Sequence, residues 1–511
     1  MDSTKNRDYQ DTVKELYQLQ GRLSAYKHAI NLLIYDGLTT APKGTAENRA
    51  HSVGILTEEM YRISICEETV SLLEYLDAYT PQEEGIEQVR IRRMVYLMLK
   101  DIRKMQKIPM EEYVAYQELV VQSNDVWHKA KENNDFPMFR PYLEKIIETL
   151  GRFAHYCAPE MGAYDYWLNE YEPGINREIC DRFFETMRSR LVPLIHAISE
   201  AVRPDDSFLW GFFPVTAQEQ LSAYLIELIG LDPDHCGLST TEHPFTVSLG
   251  SHFDERITTN YKEDNFTYSM YSVIHEGGHA LYDTGSDADL AYTVLDGGVS
   301  MGIHESQSRF YENVLGRSSS FAAFILPKLQ ELFPDSMKDV TEEMFYKAIN
   351  ISRPSLIRTE ADEVTYCLHI MIRYEIEKRL MDGSLKVCDL PEEWNRLYKE
   401  YLGIDVPDDS RGVLQDTHWA NGNVGYFPSY ALGSAYGAQF LNKIKESVDV
   451  DACLTAGNFS PVNEWNRTHI WKYGALYTPS ELLDRVLGET FDPTVYTDYL
   501  ETKYRAIYNI L

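Results

Sequence analysis

The segment His275-Glu276-Gly277-Gly278-His279 sets two imidazoles four residues apart with a carboxylate beside the first. On a helix, residues four apart face the same way. Both rings can therefore ligate one Zn²⁺ through ring nitrogens, while Glu276, one step round the helix, can reach a water in the metal's open position as general base. Asp264 and Asn265 are suited to cap such a helix, Met270, Ile274 and Leu281 supply an apolar stripe, and Gly285 marks an end, so the spacing predicts a helix over 265–283. The alternative is a pair of solvated or hydrogen-bonded histidines without catalytic meaning. Histidine is scarce, 14 in 511 residues, which makes a chance match on so regular a helix rare. The glycines also weigh against chance. Each Gly in a helix interior costs roughly 1 kcal/mol relative to Ala, and close approach of substrate or of another backbone segment would offset that cost.

A catalytic zinc needs a third protein ligand. The segment 300–312 (Ser-Met-Gly-Ile-His-Glu-Ser-Gln-Ser-Arg-Phe-Tyr-Glu) reads as a second helix ending near Gly316. His304 and Glu305 both have the right chemistry, but neighbours on a helix point about 100° apart, so only one is expected to ligate. An exposed i,i+4 pair with Arg309 is the competing role for Glu305. Spacing leaves the choice between His304 and Glu305 open.

HEGGH at 275–279 followed by His304-Glu305-Ser306-Gln307-Ser308-Arg309 resembles the carboxypeptidase Taq family of zinc metallocarboxypeptidases, in which the Glu of H-E-S-Q is the third ligand. The resemblance thus selects Glu305. Further blocks of the family stand in the same order: His243-Pro244-Phe245, Asp254-Glu255-Arg256-Ile257-Thr258, Ile357-Arg358-Thr359-Glu360-Ala361-Asp362, and Gly412-Val413-Leu414-Gln415-Asp416-Thr417-His418-Trp419. The segment 33–42 is similar to an N-terminal W-D-x-x-T-x-M-P pattern, with Tyr35 in place of Trp and Ala41 in place of Met.

These blocks also have local readings. Phe245, Val247 and Leu249 alternate with Thr246, Ser248 and Gly250, the period of a half-buried strand, and 254–259 is the expected returning strand. An edge strand beside the metal can hold a substrate backbone by strand addition. His243, at its start, is a candidate substrate contact or a structural histidine, and Asp254 with Arg256 reads as a structural ion pair. A carboxypeptidase must hold a free C-terminal carboxylate, which guanidinium does bidentately. The resemblance assigns that role to Arg358, against a surface salt bridge with Glu360 or Asp362. The Gly- and Pro-containing tract 415–433 reads as loop with short helical pieces. Hydrolysis needs donors aimed at the developing oxyanion, and by similarity to related peptidases these are His418 and Tyr430, with Tyr426 as a substitute for Tyr430.

The elements that must position these residues are mostly helices. Stretches 8–33, 84–106, 110–134 and 180–202 alternate apolar and charged residues at helical spacing, strand-like runs are few, and no linker or repeat divides the chain. The expectation is a mainly α fold: one metallocarboxypeptidase domain over 1–511, two helical halves flanking a deep substrate cleft, and a small sheet near 243–261 beside the zinc helix. A formal charge of −31 argues against nucleic acid or anionic membrane as partner. The polar start at 1–8 and the lack of a long apolar run predict a cytoplasmic protein, and seven scattered cysteines without a C-x-x-C pair fit reduced, buried thiols.

The function expected is zinc-dependent release of single C-terminal amino acids: Zn²⁺, with Co²⁺ as a substitute, on His275, His279 and Glu305, with Glu276 as base and Arg358 on the substrate carboxylate. The resemblance implies broad tolerance at the C-terminal position, short peptide substrates and a homodimer. The rival readings are a zinc oligoendopeptidase or dipeptidyl carboxypeptidase, and a non-catalytic binding protein with structural histidines.

Overall fold

Alternation of apolar and charged residues at helical spacing produces long helices from the start of the chain. The structure, a computed structural model, describes residues 7–82, 85–488 and 491–510. Helix α1 (Tyr9–Thr39) is capped by Asp8, whose carboxylate accepts from the Asp11 amide, and runs on into the block at 33–42. It is followed by α2 (Ala46–Ile65), α3 (Glu67–Tyr79) and α4 (Ile86–Lys107). Glu84, the expected start of α4, and most of the polar opening at 1–8 lie outside the described residues. Leu16, Leu72, Leu76 and Met94 of these helices bury a core of their own, closed by Leu290, Leu295 and Leu476 from distant loops.

A larger core joins most of the other helices: α5 (Met110–Asn133), α6 (Phe136–Cys157), α7 (Ala163–Tyr171), α8 (Arg177–Ser199), α9 (Val215–Ile229) and, after the sheet, α10 (Thr267–Thr284) and α11 (Met301–Arg309). It continues through α12 (Ser319–Leu332), α13 (Pro334–Met337), α14 (Glu342–Ala348), α15 (Tyr366–Met381), α16 (Leu390–Leu402) and α17 (Pro428–Lys445). The chain closes with α18 (Val450–Thr455), α19 (Ser460–His469), α20 (Pro479–Leu487) and α21 (Pro493–Tyr508). No helix among the described residues is long and apolar enough to cross a membrane. The cysteines are free, but only Cys157, Cys180, Cys236 and Cys367 are buried; Cys388 is exposed and Cys66 and Cys453 are half-buried, which corrects the expectation of buried thiols throughout.

The sheet has one strand more than the hairpin expected. Strands β1 (Cys236–Thr240), β2 (Thr246–Ser248) and β3 (Glu255–Thr259) lie in the order β1-β3-β2, with β1 parallel and β2 antiparallel to β3. The run Cys-Gly-Leu-Ser-Thr of β1 lacks a period-2 apolar pattern, so its sequence carries no strand signal. β2 is shorter than the alternation at 245–250 because α1 takes over its end: Asn31, His28 and Ser24 hydrogen-bond the carbonyls of Ser248, Leu249 and Gly250 at 3.0, 2.8 and 2.6 Å. Gly250 has φ of 81°, and a Cβ there would stand 2.7 Å from the His28 Cβ, so α1 can sit this close only against glycine. The Asp254–Arg256 ion pair forms at 2.6 Å.

Helix α10 starts two residues later than its sequence suggests, because Asn265 turns its side chain back on the Thr267 amide (2.8 Å) and so lies before the first turn. Its glycines answer to packing. A Cβ on Gly278 would lie 2.7 Å from Ser308 Cα and 2.8 Å from the Gln307 carbonyl oxygen of α11, and one on Gly277 would strike Ile229 of α9. The close neighbour is thus another backbone. On its far side α11 meets α17 just as closely, since a Cβ on Gly433 would be 2.7 Å from Glu305 Cβ. Beyond Arg309 the expected single helix changes winding: 310–315 is π-helical, and the Gly316 amide bonds the Tyr311 carbonyl at 2.8 Å. The tract 415–433 is turn and loop only as far as Phe427; α17 begins at Pro428, so Tyr430 stands on its first turn rather than in a loop.

Replacing Gly278 by Ala is expected to wedge α10 and α11 apart and lose most bound metal, although Ala is intrinsically the better helix former by roughly 1 kcal/mol. Gly151→Ala in α6, where nothing lies within 4 Å of the new Cβ, is expected to raise the melting temperature instead. Metal content and thermal denaturation of both variants check this, and full metal occupancy in Gly278→Ala would contradict it.

Candidate active site

α10 and α11 bring His275, His279 and Glu305 together. One ligand atom from each lies within 4.8 Å of the other two. Glu305 Oε2 is 3.9 Å from His275 Nε2 and 3.7 Å from His279 Nε2. Two imidazoles and one carboxylate are a donor set suited to a catalytic divalent metal. The other nitrogen of each ring is held: His275 Nδ1 by Glu312 at 2.8 Å, and His279 Nδ1 by His304 Nδ1 at 3.2 Å. His304 in turn places Nε2 3.1 Å from Asp283 Oδ1. With the proton of His304 on Nε2 toward Asp283, its Nδ1 accepts from His279 Nδ1–H, and the lone pair of His279 Nε2 is left facing Glu305. Of the two residues between which spacing leaves the choice open, Glu305 faces both Nε2 atoms and His304 stands behind His279.

The Glu305–Arg309 pair exists, with Arg309 Nε 2.8 Å from Glu305 Oε1, but it is buried rather than exposed. Burial pushes the Glu305 carboxyl upward, and Arg309 with the two histidines overrides that, holding it below the usual carboxylate range. His275 is likewise opposed by burial, yet the hydrogen bond to Glu312 and the field of Glu305 raise it to about 9. Burial and the neighbouring His275 and His304 push His279 down to about 3. Glu276 is buried beside the pair. Thr246 of β2 donates to its Oε2 at 2.7 Å, and burial, offset in part by His275 and that hydroxyl, raises its carboxyl above the ordinary value. A carboxylate with a raised affinity for protons and a place beside the metal set has the properties of a general base.

Arg358 is buried and does not pair with Glu360 or Asp362. Its Nε and an Nη atom each lie 3.0 Å from Asp416 Oδ1, while its other Nη donates to the Tyr366 hydroxyl at 3.3 Å. Arg373 approaches the second oxygen of the same carboxylate at 2.6 Å, so two guanidinium groups share Asp416. The Arg358 guanidinium lies 5.2 Å from the centre of the Tyr430 ring. The Tyr430 hydroxyl is 3.5 Å from His418 Nε2, and the Tyr426 ring lies 5.2 Å from Tyr430 and 5.4 Å from His418. Burial pushes the Tyr426 phenol up, and the Glu305 carboxylate adds to the shift. Burial also lowers His418 to about 4, leaving the ring neutral at ordinary pH. His243 is exposed on the connection between β1 and β2, where its carbonyl accepts from the Thr241 hydroxyl at 2.8 Å.

Sequence reasoning assigns no role to Glu312, Asp283, Asp416 or Glu172. Asp416 stands inside a quoted block and Glu312 at the end of another, so position could have suggested both. Glu172 gives no signal: it lies 130 residues from Gly302, yet its carboxylate accepts the Gly302 amide at 2.8 Å and the Ser300 hydroxyl at 3.0 Å, capping the helix that carries Glu305.

Comparison with known proteins adds an independent finding. The model of the carboxypeptidase Taq (M32) metallopeptidase family matches residues 15–504. Carboxypeptidase 1 of Bacillus subtilis is 39% identical over 497 residues, covering 97% of this chain and 98% of that protein. Thermostable carboxypeptidase 1 of Thermus thermophilus is 35% identical over 503 residues, covering 95% and 97%. The crystal structure of an M32 carboxypeptidase from Deinococcus radiodurans superposes with a TM-score of 0.93 at 35% identity, covering 98% of this chain and 100% of that one.

Burial pushes Glu172 up to about 7 from an ordinary 4.5, against the pull of the Gly302 amide and Ser300 hydroxyl. Because the folded value is the higher one, the stability linked to the neutral acid is fully present below about 4.5 and is lost as pH rises through about 7. Thermal midpoints of the native chain are therefore expected to fall relative to Glu172→Gln between pH 5 and 8, by the equivalent of up to about 3 kcal/mol. Parallel pH profiles for the two proteins would show that Glu172 does not titrate in this range.

Proposed function

Since the chain belongs to the carboxypeptidase Taq (M32) metallopeptidase family, and is a peptide hydrolase of the carboxypeptidase class, we propose that it releases one C-terminal amino acid per turnover in a zinc-dependent reaction at the cluster described. The observation that carries this reading is the convergence of His275, His279 and Glu305 with Glu276 beside them. These three residues would hold the metal. When bound, Zn²⁺ supplies Lewis acidity toward a peptide carbonyl and lowers the pKa of water. Glu276 takes the proton of the attacking water and delivers it to the amine that leaves as the C–N bond breaks. Glu312 and the His304–Asp283 pair keep the two imidazoles oriented and their Nε2 lone pairs available.

Arg358 receives the substrate's terminal carboxylate in this reading. Two guanidinium groups on one carboxylate leave the Arg358–Arg373–Asp416 cluster with an excess positive charge, and Arg373 is fully enclosed, so Arg358 is the cation that can turn to a ligand. A free carboxylate would balance that charge, whereas an amide would not. His418 and Tyr430, with Tyr426 as the alternative phenol, donate to the oxygen that gains charge as water attacks. Their mutual contacts support the assignment. His243 is kept as a substrate contact at the mouth of the site. Broad tolerance at the C-terminal position, a homodimer and a single peptidase domain with its cleft between helical halves rest on the family relation.

Glu276→Gln is expected to keep wild-type zinc content while kcat falls by several orders of magnitude; near-native turnover would mean that another group activates the water. Arg358→Ala is expected to slow cleavage of a free-acid peptide far more than that of its C-terminal amide, and mass spectrometry of wild-type products should show loss of one residue from the acid alone. Equal cleavage of both peptides at internal bonds would favour an oligoendopeptidase, and release of dipeptides a dipeptidyl carboxypeptidase.

A further inference from the structure

Glu377 lies on α15, fully enclosed, and its hydrogen-bond partners are all donors. Oε1 accepts from the indole N–H of Trp419 at 2.8 Å. Oε2 accepts from the Gly425 amide at 2.9 Å and from the Tyr164 hydroxyl of α7, also at 2.9 Å. Burial pushes this carboxyl up to about 7 against the pull of the three donors, which satisfy both of its oxygens as an enclosed polar group requires.

The two loop donors bracket the groups proposed to stabilise the oxyanion. Trp419 directly follows His418, and Gly425 directly precedes Tyr426. Between them the chain folds back on itself, with the Asn421 and Asn423 amides bonding the His418 carbonyl at 3.1 and 2.9 Å. Gly425 has φ of 90°, and a Cβ on it would stand 2.8 Å from the Trp167 carbonyl carbon, so this turn is pressed onto the backbone of α7. Tyr171 of the same helix donates to Asn423 Oδ1 at 3.3 Å. The loop therefore hangs on one side chain at both ends and rests against α7 and, where Asn124 donates to Asn421 Oδ1 at 2.7 Å, against α5.

We propose that Glu377 is a positioning residue for the reaction: its carboxylate clamps Trp419 and Gly425 and thereby holds His418 and Tyr426 at the reacting carbonyl. The inference rests on the donor roles given above to His418 and to the phenol of Tyr426 or Tyr430. Glu377 itself touches no substrate. A donor displaced by even about 1 Å loses much of its effect on a developing charge while ground-state binding through Arg358 is untouched, so the consequence falls on kcat rather than on KM.

The test compares zinc-loaded Glu377→Gln and Trp419→Phe with wild type on a free-acid peptide, with kcat expressed per folded, metal-containing enzyme. In Glu377→Gln the amide must point its NH₂ at one of the donors, so a fall in kcat of about 10–100-fold is expected, with KM within about twofold and unchanged zinc content. Trp419→Phe keeps the carboxylate and removes only the anchor beside His418; a smaller fall, about 3–10-fold, is expected, and this variant decides the matter if Glu377→Gln does not fold. Wild-type kcat in either folded variant, or a loss confined to KM or to zinc content, overturns the proposal. His418→Ala, Tyr426→Phe and Tyr430→Phe, measured in parallel, separate it from the reading beneath it. Wild-type kcat in all three removes the donor assignment and the positioning role with it, whereas kcat losses in these three with none in Glu377→Gln remove the positioning role alone.

Discussion

The site depends on how closely the backbones of α10 and α11 can approach. Glu305 reaches within 4 Å of both imidazoles because Gly278 presents no side chain where the backbone of Ser308 and Gln307 passes. Gly433 on α17 makes the same concession from the other side. The helix that bears the carboxylate is thus held between two glycine contacts, and any side chain at either would move Glu305 rather than merely loosen the core. The helix-forming cost of glycine is offset by the geometry of the metal set.

Around that contact the structure buries charge in closed groups. Glu312 bridges His275 and the cations Arg309 and Arg317; Asp283 stands behind His304; Asp416 is shared by Arg358 and Arg373. Each arrangement orients a residue that faces the site, and each charge has a partner, as a low-dielectric setting requires. Asp416, like Glu312, is shared by two guanidinium groups.

Elements remote in sequence do the fine positioning. α1 closes the end of β2 through the carbonyls at 248–250, α7 touches the 419–425 loop through Tyr171 and Trp167, and Glu172, directly after α7, holds the start of α11. A short helix of nine residues and the glutamate that follows it therefore contact both the loop of proposed oxyanion donors and α11.

Much of this was legible in the residues themselves. The spacing of His275 and His279 prescribes a shared face on any helix, the apolar periodicity of the long segments prescribes helices, and the pair Gly277-Gly278 announces a close contact without naming its partner. Such features are local, because they follow from 3.6 residues per turn. The choice of Glu305 over His304 could be made in advance only by family resemblance, since two adjacent helical residues differ in direction, and direction has meaning only once α10 is in place. The parallel strand β1, the π-helical turn at 310–315, the sharing of Asp416 and the long reach of Glu172 and Glu377 were decided by tertiary structure alone. Each depends on groups that are far apart in the chain and unremarkable where they stand, and whose hydrogen-bond partners exist only after the helices have packed.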